Sequence, residues 1–194
     1  MMCQYYVRSI HSLLLQNNVL CGTCCFFSGV IKMEIKILNK DDWKCWKDIR
    51  LESLKNAPTA YISSFEEVEE QPDIFFQTRV EKTKIYGAFI NGQLVSTIGF
   101  SIDARLKEQH RGHISGMYTR PEFCQKGIGS KLLKAVITDA SNIVLQIHLS
   151  CVADNQSAIH LYQKYGFEIY GKDPRTIKIG SKFYDTLLMV LFFK

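Results

Sequence analysis

The sequence has no block of like charges, although its 194 residues carry a formal net charge of +5. Lysines and arginines are interleaved with aspartates and glutamates along the chain, which is typical of a solvated protein surface. Proteins that bind nucleic acids concentrate their basic residues on one face or along one helix. The charge pattern therefore predicts no nucleic-acid partner.

An apolar segment long enough to cross a bilayer is also missing. The run VLCGTCCFFSGVI, residues 19 to 31, has 13 residues, whereas a spanning helix needs about 20. No A-x-A-like cleavage site follows this run, so a secretory signal peptide is not indicated. We predict no membrane partner.

The sequence lacks a disulfide framework, because its seven cysteines are an odd and unevenly scattered set. The segment CGTCC contains one CxxC pair, but no second CxxC pair or HxxxH pair follows it. A structural zinc site needs such a second pair. We therefore predict no metal site, and a reducing cytoplasm as the compartment.

Acidic residues are absent from residues 1 to 32, whose only formal charges are Arg8 and Lys32. This change in composition at Met33 predicts an N-terminal extension, residues 1 to 32, that is peripheral to the fold. Translation that begins at Met33 is an alternative explanation. The domain itself is predicted over residues 33 to 194.

What the chain does contain indicates one α/β-sized domain, because 46% of its residues are hydrophobic and 12% are aromatic. Alternating residues from Met33 predict a strand, and Asn39 offers an N-cap for a helix that ends near Asn56. A polar loop is expected before Pro72 and a second, short helix after it. Asn91-Gly92 between two apolar runs predicts a hairpin. The predicted order is β-α-α-β-β-β-α-β-α-β-β in one mixed sheet.

The stretch HISGMYTRPEFCQKGIGSKLLKAVI predicts a strand near residues 112 to 119 that leads into a helix from about Gly127 to Ala140. Gly127 and Gly129 lie where the first helical N–H groups have no partner, and they let a ligand come close to the backbone. A phosphate suits this place, with Lys126 and Lys131 adding attraction, although a plain helix start is an alternative. The Walker motif GxxxxGK[ST] and the dinucleotide motif GxGxxG are both absent.

A second motif follows about thirty residues later. MYTRPEFCQKGIGSKLL followed by NQSAIHLYQKYGFEIYG resembles the acetyl-CoA-binding signature and the next helix of the GNAT superfamily of N-acetyltransferases. The resemblance covers residues 33 to 194. It implies a single α/β (α+β) domain with a mixed, mostly antiparallel twisted sheet, helices on both faces and splayed central strands. It also implies acetyl-CoA as the acetyl donor.

The resemblance assigns cofactor-binding positions. Backbone groups of Met117, Tyr118 and Thr119 would bind the pantetheine arm. The pyrophosphate would lie on a turn that begins at Cys124, where the family usually has Gln or Arg, so weakened affinity is expected. The remaining positions of this set are Gln125, Lys126, Gly127, Ile128, Gly129 and Ser130. Asn155 would hold the arm or the adenylate edge, unless it serves only as an N-cap.

Two catalytic residues follow from the same resemblance. Tyr162, which would also contact the cofactor, would donate a proton to the departing thiolate; packing alone is the alternative. His113 takes the place of the glutamate that some relatives use as a base, and with an ordinary pKa of ~6.5 it could accept a proton. A structural strand histidine is the alternative. The acceptor pocket is expected between the first two helices, where Glu66, Glu67, Glu69 and Glu70 either attract a cationic amine or are only solvated.

The first functional hypothesis is an N-acetyltransferase that transfers an acetyl group from acetyl-CoA to a primary amine of a small molecule or peptide, by direct attack in a ternary complex. The alternative is a catalytically weak CoA-binding sensor or interaction module. A homodimer is left open. The acceptor amine is not specified by the sequence.

Overall fold

The computed structural model describes residues 32–194. The predicted N-terminal extension therefore lies outside the described residues, apart from Lys32. The strands are β1 Met33–Ile37, β2 Lys84–Ile90, β3 Gln93–Ile102, β4 Arg111–Thr119, β5 Gln146–Val152, β6 Glu168–Ile179 and β7 Lys182–Phe192. The helices are α1 Trp43–Asn56, α2 Phe65–Glu69, α3 Asp73–Lys82, α4 Ile128–Ala140 and α5 Gln156–Lys164.

The seven strands form one sheet in the order β1-β2-β3-β4-β5-β7-β6. Neighbouring strands are antiparallel except β4 and β5, which are parallel. The predicted mixed, mostly antiparallel sheet is confirmed. No helix within residues 32–194 is both long and apolar enough to cross a bilayer.

Two apolar cores lie on opposite faces of the sheet. Leu132, Leu133 and Val136 of α4 pack with Ile159 of α5 in the larger core. Helices α1, α2 and α3 supply the smaller core, which includes the fully buried Phe76. Helices thus cover both faces, as predicted. Each core removes the apolar faces of several amphipathic elements from water. This burial of apolar surface is the main contribution to the stability of such a fold.

Local sequence explains the turn between β2 and β3. Asn91 has φ 49° and Gly92 has φ 82°, so both central residues are left-handed, as a two-residue type I′ turn requires. Asparagine and glycine tolerate this conformation better than other residues do. The hairpin predicted from Asn91-Gly92 is confirmed.

One segment predicted as a polar loop is partly helical. Ser64 caps α2, because its side chain accepts from the Glu67 N–H while the Glu67 side chain accepts from the Ser64 N–H. This reciprocal pair is a capping box, which needs Ser or Thr followed three residues later by Glu or Gln. The acidic composition of the segment obscured this signal. The second helical region is therefore two helices, α2 and α3.

The parallel pair β4–β5 holds together over only three residue pairs. They are Arg111–Gln146, Gly112–Ile147 and His113–His148. Past His113, β4 continues to Thr119 beside β3, and β5 continues to Val152 beside β7. The predicted splay of the central strands is confirmed, and it leaves a V-shaped cleft between them.

Candidate functional site

The cleft is bordered by a bulge in β4. Thr97 pairs with Tyr118 and Gly99 pairs with Ser115, so β4 has one residue more than β3 in this interval. Gly116 has φ 64°, a left-handed conformation that is common for glycine at bulges. The extra residue changes the direction of β4 beyond Gly116.

The register beyond the bulge decides which backbone groups face the cleft. The Arg120 N–H donates to the Val95 carbonyl at 2.9 Å, and hydrogen-bonded pairs alternate along an antiparallel ladder. Tyr118 is therefore bonded to Thr97 on β3, whereas the backbone groups of Met117 and Thr119 are directed toward the cleft. The prediction that Tyr118 offers backbone groups to a ligand is corrected by this register.

The Tyr118 side chain instead joins β4 to α1. Its hydroxyl donates to Glu52 Oε1 at 3.0 Å and accepts from Asn56 Nδ2 at 2.9 Å. Arg120 Nε lies 3.2 Å from Glu52 Oε2. Burial is the largest cause that raises the pKa of Tyr118, to about 12. This network fixes the end of β4 just before the glycine-containing turn.

The turn before α4 has the geometry of an anion-binding loop. Gln125 has φ 61° and Gly127 has φ 74°, and alternating left-handed residues turn successive N–H groups toward one point. The first helical bond of α4 runs from the Lys131 N–H to the Gly127 carbonyl at 3.1 Å. Within residues 32–194, the N–H groups of residues 125 to 130 donate to no protein acceptor. They are available to a phosphate oxygen.

Gly129 is needed for a different reason from Gly127. A Cβ atom at Gly129 would lie 3.0 Å from Met117 Cε and 3.4 Å from Thr119 Oγ1. The missing side chain thus lets the first turn of α4 approach β4 at the cleft. A Cβ at Gly127 would meet nothing within 4 Å, so its requirement is the left-handed backbone alone.

The side chains of the loop are held by neighbours. Cys124 Sγ lies 3.6 Å from the Thr119 carbonyl oxygen and 3.5 Å from that of Arg120. Lys126 Nζ lies 5.2 Å from the centre of the Phe123 ring. Ser130 Oγ and the Tyr165 hydroxyl are 2.7 Å apart, which ties α4 to the end of α5.

Tyr162 of α5 is buried, and its hydroxyl lies next to β4. The hydroxyl donates to Met117 Sδ at 3.5 Å. The Tyr162 ring therefore packs beside Met117, whose backbone faces the cleft. Burial is the largest cause that holds the pKa of Tyr162 far above its ordinary value, and the nearby Cys151 and Tyr61 raise this pKa further. The phenol is therefore protonated at neutral pH and can donate a hydrogen bond or a proton.

Asn155 is the N-cap of α5. Its side-chain oxygen accepts from the Ala158 N–H at 3.2 Å and from Ser157 Oγ at 3.1 Å. The capping role is thus present in the structure. A contact of the side-chain amide nitrogen with a cofactor stays a prediction.

His113 lies where the two strands begin to splay. Its Nε2 is 2.8 Å from Asp103 Oδ2, and this hydrogen bond is the largest cause that lowers the pKa of Asp103. A carboxylate only accepts, so Nε2 donates and Nδ1 of the neutral ring holds the lone pair. The His148 ring is 5.7 Å away, and burial is the first cause that lowers the pKa of His148.

A cavity of about 400 Å³ adjoins the cleft on the side of α1, α2 and α3. It has a helix wall, a loop wall and a sheet wall. The helices contribute Trp46, Arg50, Val68, Phe75 and Arg79, and Thr83 lies directly after α3. The loop contributes residues 60 to 63, and the sheet contributes Ile85, Gly99, Ile114, Ser115, Gly116 and Ser150. The pocket predicted between the first helices and their loop is present.

Tyr61 connects this cavity with the cleft. Its hydroxyl donates to the Met117 carbonyl at 3.1 Å, and its ring lies 4.7 Å from the guanidinium carbon of Arg50. Side chains alternate along a strand, so His113 lies on the same face of β4 as Ser115 of the sheet wall. His113 itself is not among the residues that line the cavity, whereas Ser115, two residues further along β4, is one of them.

Sequence reasoning missed Arg50, Arg79 and Tyr61. A signal was available for Arg50, which follows Trp46 by one turn and therefore lies on the same face of α1. Glu66, Glu67, Glu69 and Glu70 are exposed, and the cavity lining contains none of them. The alternative that these carboxylates are only solvated is the one that the structure favours.

Comparison with known proteins gives several matches. The L-amino acid N-acetyltransferase AaaT of Escherichia coli K12 is 28% identical over 104 residues, 53% of this chain and 64% of that protein. The spermine/spermidine N(1)-acetyltransferase of Bacillus subtilis strain 168 is 28% identical over 94 residues, 46% of this chain and 62% of that protein. This chain thus spans slightly less than two thirds of the length of these curated relatives.

Solved structures show the same architecture. A GNAT-family acetyltransferase from Streptococcus pneumoniae superposes with a TM-score of 0.70 at 24% identity, over 84% of this chain and 100% of that chain. The structure of yncA from Salmonella typhimurium with its cofactor acetyl-CoA has a TM-score of 0.71 at 18% identity, over 84% of this chain and 95% of that chain. At these identities the likeness establishes the fold.

Residues 43–167 match the model of the acetyltransferase (GNAT) family. The match covers more than half of the chain and includes the splayed strands, the loop before α4 and helix α5. This protein therefore belongs to the acetyltransferase (GNAT) family.

Proposed function

We propose that this protein is an N-acetyltransferase, which transfers the acetyl group of acetyl-CoA to the primary amine of a small molecule or peptide by direct attack in a ternary complex. One observation carries the proposal. The loop at residues 125 to 130 and the cavity behind Tyr61 both border Met117, whose methyl group lies against Gly129 and whose carbonyl accepts from the Tyr61 hydroxyl. Such a site accommodates a phosphate-bearing donor and an acceptor side by side.

The residues present fit acetyl-CoA. Unpartnered N–H groups of the loop would bind the pyrophosphate. Backbone groups of Met117 and Thr119 would bind the pantetheine amides as a strand would, because β5 leaves that edge unpaired. Cys124 is turned toward the carbonyls of Thr119 and Arg120, so we expect it to add no hydrogen bond of the kind that Gln or Arg would supply.

Acetyl transfer forms a bond between the amine nitrogen and the acetyl carbon and breaks the bond between that carbon and sulfur. The thiolate that leaves needs a proton, and the attacking nitrogen must lose one. Tyr162 supports the first role, since its protonated hydroxyl lies beside the cleft.

His113 supports the second role, because its Nε2 bond to Asp103 leaves Nδ1 as the proton acceptor. His113→Ala should lower the single-turnover rate of acetyl transfer, because it removes the group that would accept the amine proton. A single-turnover rate that is unchanged in His113→Ala would assign the base elsewhere.

The experiment that tests the proposed function has two parts. Acetyl-CoA should bind about one equivalent per chain and raise the melting temperature by mass action, whereas NAD and ATP should have much smaller effects. A panel of amines should then release free CoA thiol. Equal shifts with all three ligands would contradict the CoA site, and binding without thiol release would support the sensor alternative.

The compartment is part of the proposal. Cys45 and Cys151 are thiols in the structure, and burial raises the pKa of Cys151 to about 11. A buried, protonated thiol is inert toward oxidants. These features are compatible with the reducing cytoplasm that we expect from the scattered cysteines.

A further inference from the structure

The cavity beside the cleft combines apolar walls with two arginines. Trp46, Val68 and Phe75 supply apolar surface, whereas Arg50 on α1 and Arg79 on α3 supply positive charge. Among residues 32–194, no aspartate or glutamate lines this cavity. A cation that enters the cavity would thus meet like charges, and an anion would meet opposite charges.

Arg50 has no carboxylate partner within residues 32–194. Two other cations of this region are paired, since Lys47 is 2.7 Å from Asp73 Oδ1 and Arg120 is 3.2 Å from Glu52 Oε2. The guanidinium of Arg50 stacks over the Tyr61 ring instead, at 4.7 Å. Stacking leaves the N–H groups at the guanidinium edge available for a planar anion.

The electrostatic setting of Arg50 is unfavourable without a ligand. Burial is the first cause that lowers the pKa of Arg50, and the positive charge of Arg79 lowers it further. Two like charges beside a partly desolvated cavity repel each other, and a half-buried charge without a partner is costly. A bound carboxylate would relieve both effects, whereas a polyamine would increase the repulsion.

Similarity to relatives does not choose between these acceptor types. The amino-acid enzyme from Escherichia coli and the polyamine enzyme from Bacillus subtilis are both 28% identical to this chain in the matched regions. The choice must come from the residues of this cavity.

We propose that the acceptor is an amine that also carries a carboxylate, as a free amino acid with an apolar side chain does, and that Arg50 binds this carboxylate with Arg79 as a second, more exposed cation. The inference rests on the proposed function. The arginines lie on the helix wall and the splayed strands form the sheet wall, so a carboxylate on Arg50 leaves the amine free to face the cleft. Trp46, Val68 and Phe75 then surround the apolar side chain.

The test compares L-phenylalanine, L-phenylalaninamide and spermidine as acceptors at saturating acetyl-CoA. The amide has the same shape as the acid without its charge. The amine of the amide is also less basic, so more of it is unprotonated at a given pH. Intrinsic reactivity alone therefore favours the amide as acceptor. We expect kcat/KM for the acid to exceed that for the amide and for spermidine by about 10-fold or more, since hydrogen bonds to charged groups have this magnitude.

Variants assign the effect to the arginines. Arg50→Gln should lower kcat/KM for the acid by about 10- to 100-fold and change that for the amide only a few-fold. Arg79→Gln should have a smaller effect, because Arg79 is exposed. Lys82→Gln is the matched control, since it removes a positive charge from the same helix outside this cavity and should leave both values unchanged.

Equal losses for acid and amide in Arg50→Gln, or a wild-type preference for spermidine or the amide, would overturn the inference while leaving the proposed function intact. Calorimetric titration of the acid and the amide into the CoA-saturated protein gives the same contrast without turnover. Arg50-dependent binding of the acid in a protein that releases no thiol would refute the proposed function and the acceptor role, but would retain the carboxylate site on Arg50.

Discussion

At the scale of single residues, the burial of Tyr162 limits what its hydroxyl can do. The side chain is 7% exposed, and burial holds its pKa far above 10. The phenol therefore remains a proton donor throughout the range in which enzymes are assayed. Ionisation of this group is then not expected to limit the rate below about pH 10, the ordinary tyrosine pKa.

Tyr162→Phe should lower the rate of acetyl transfer by about 10²-fold, because it removes the proposed general acid but keeps the ring. Acetyl-CoA affinity should change little. The measurement is single-turnover formation of acetylated amine, which separates chemistry from product release. Tyr86→Phe is the control, since that hydroxyl is bonded to Asp139 at 2.8 Å, away from the cleft. Unchanged single-turnover rates in Tyr162→Phe would remove Tyr162 from the mechanism.

At the scale of elements, the loop before α4 stores backbone strain where a ligand is expected. Gln125 is a non-glycine residue with φ 61°, a conformation that costs about 1 to 2 kcal/mol. The Glu52 network at one end and α4 at the other hold the loop in this form. Strain that the surrounding structure maintains is common at binding sites.

Gly127→Ala should weaken CoA binding and also lower the free energy of unfolding by about 1 kcal/mol, because alanine disfavours the left-handed backbone. Gly180→Ala is a matched control. Gly180 has φ 58° in the turn between β6 and β7, and a Cβ there also meets nothing within 4 Å. Both variants should lose similar stability in urea titrations, but only Gly127→Ala should lose CoA affinity in calorimetry. A CoA affinity of Gly127→Ala equal to that of Gly180→Ala would show that the loop N–H groups do not bind the cofactor.

At the scale of the whole molecule, the fold buries several groups that must stay protonated. Burial is the first cause that raises the pKa of Tyr61, Tyr86, Tyr118, Tyr162 and Cys151. In the unfolded chain these groups ionise at their ordinary values, ~8.5 for cysteine and ~10 for tyrosine. Above those values the unfolded state has fewer bound protons than the folded state, so stability falls as pH rises.

The urea midpoint should therefore begin to fall between about pH 8.5 and 10 through Cys151 and fall more steeply above about pH 10 through the tyrosines. Cys151→Ala should be less stable at pH 8, because it leaves a small cavity in the core, but should show a smaller decrease between pH 8 and 10. Urea titrations across pH 7 to 11 measure both. A midpoint that is constant up to pH 11 would contradict the burial of these groups in their protonated form.

Sequence by itself determined the features that depend on local backbone preferences. Asn91-Gly92 specifies the hairpin between β2 and β3, and Gly127 specifies the left-handed entry to α4. Asn155 specifies the start of α5. Even the missed helix α2 has a local signal in Ser64 and Glu67. These preferences act within a few residues, which is why most of the element order and the glycine-containing turn before α4 could be predicted from the sequence.

Tertiary structure decided the features that depend on pairing between distant segments. The bulge at Gly116 turns the backbone of Tyr118 toward β3, so only Met117 and Thr119 of the predicted group face the cleft. Arg50, Tyr61 and Arg79 come from α1, a loop and α3, and they meet only because both helices pack on the same face of the sheet. Strand register and helix packing depend on the whole set of buried contacts, so no local pattern specifies the arginines that line the cavity.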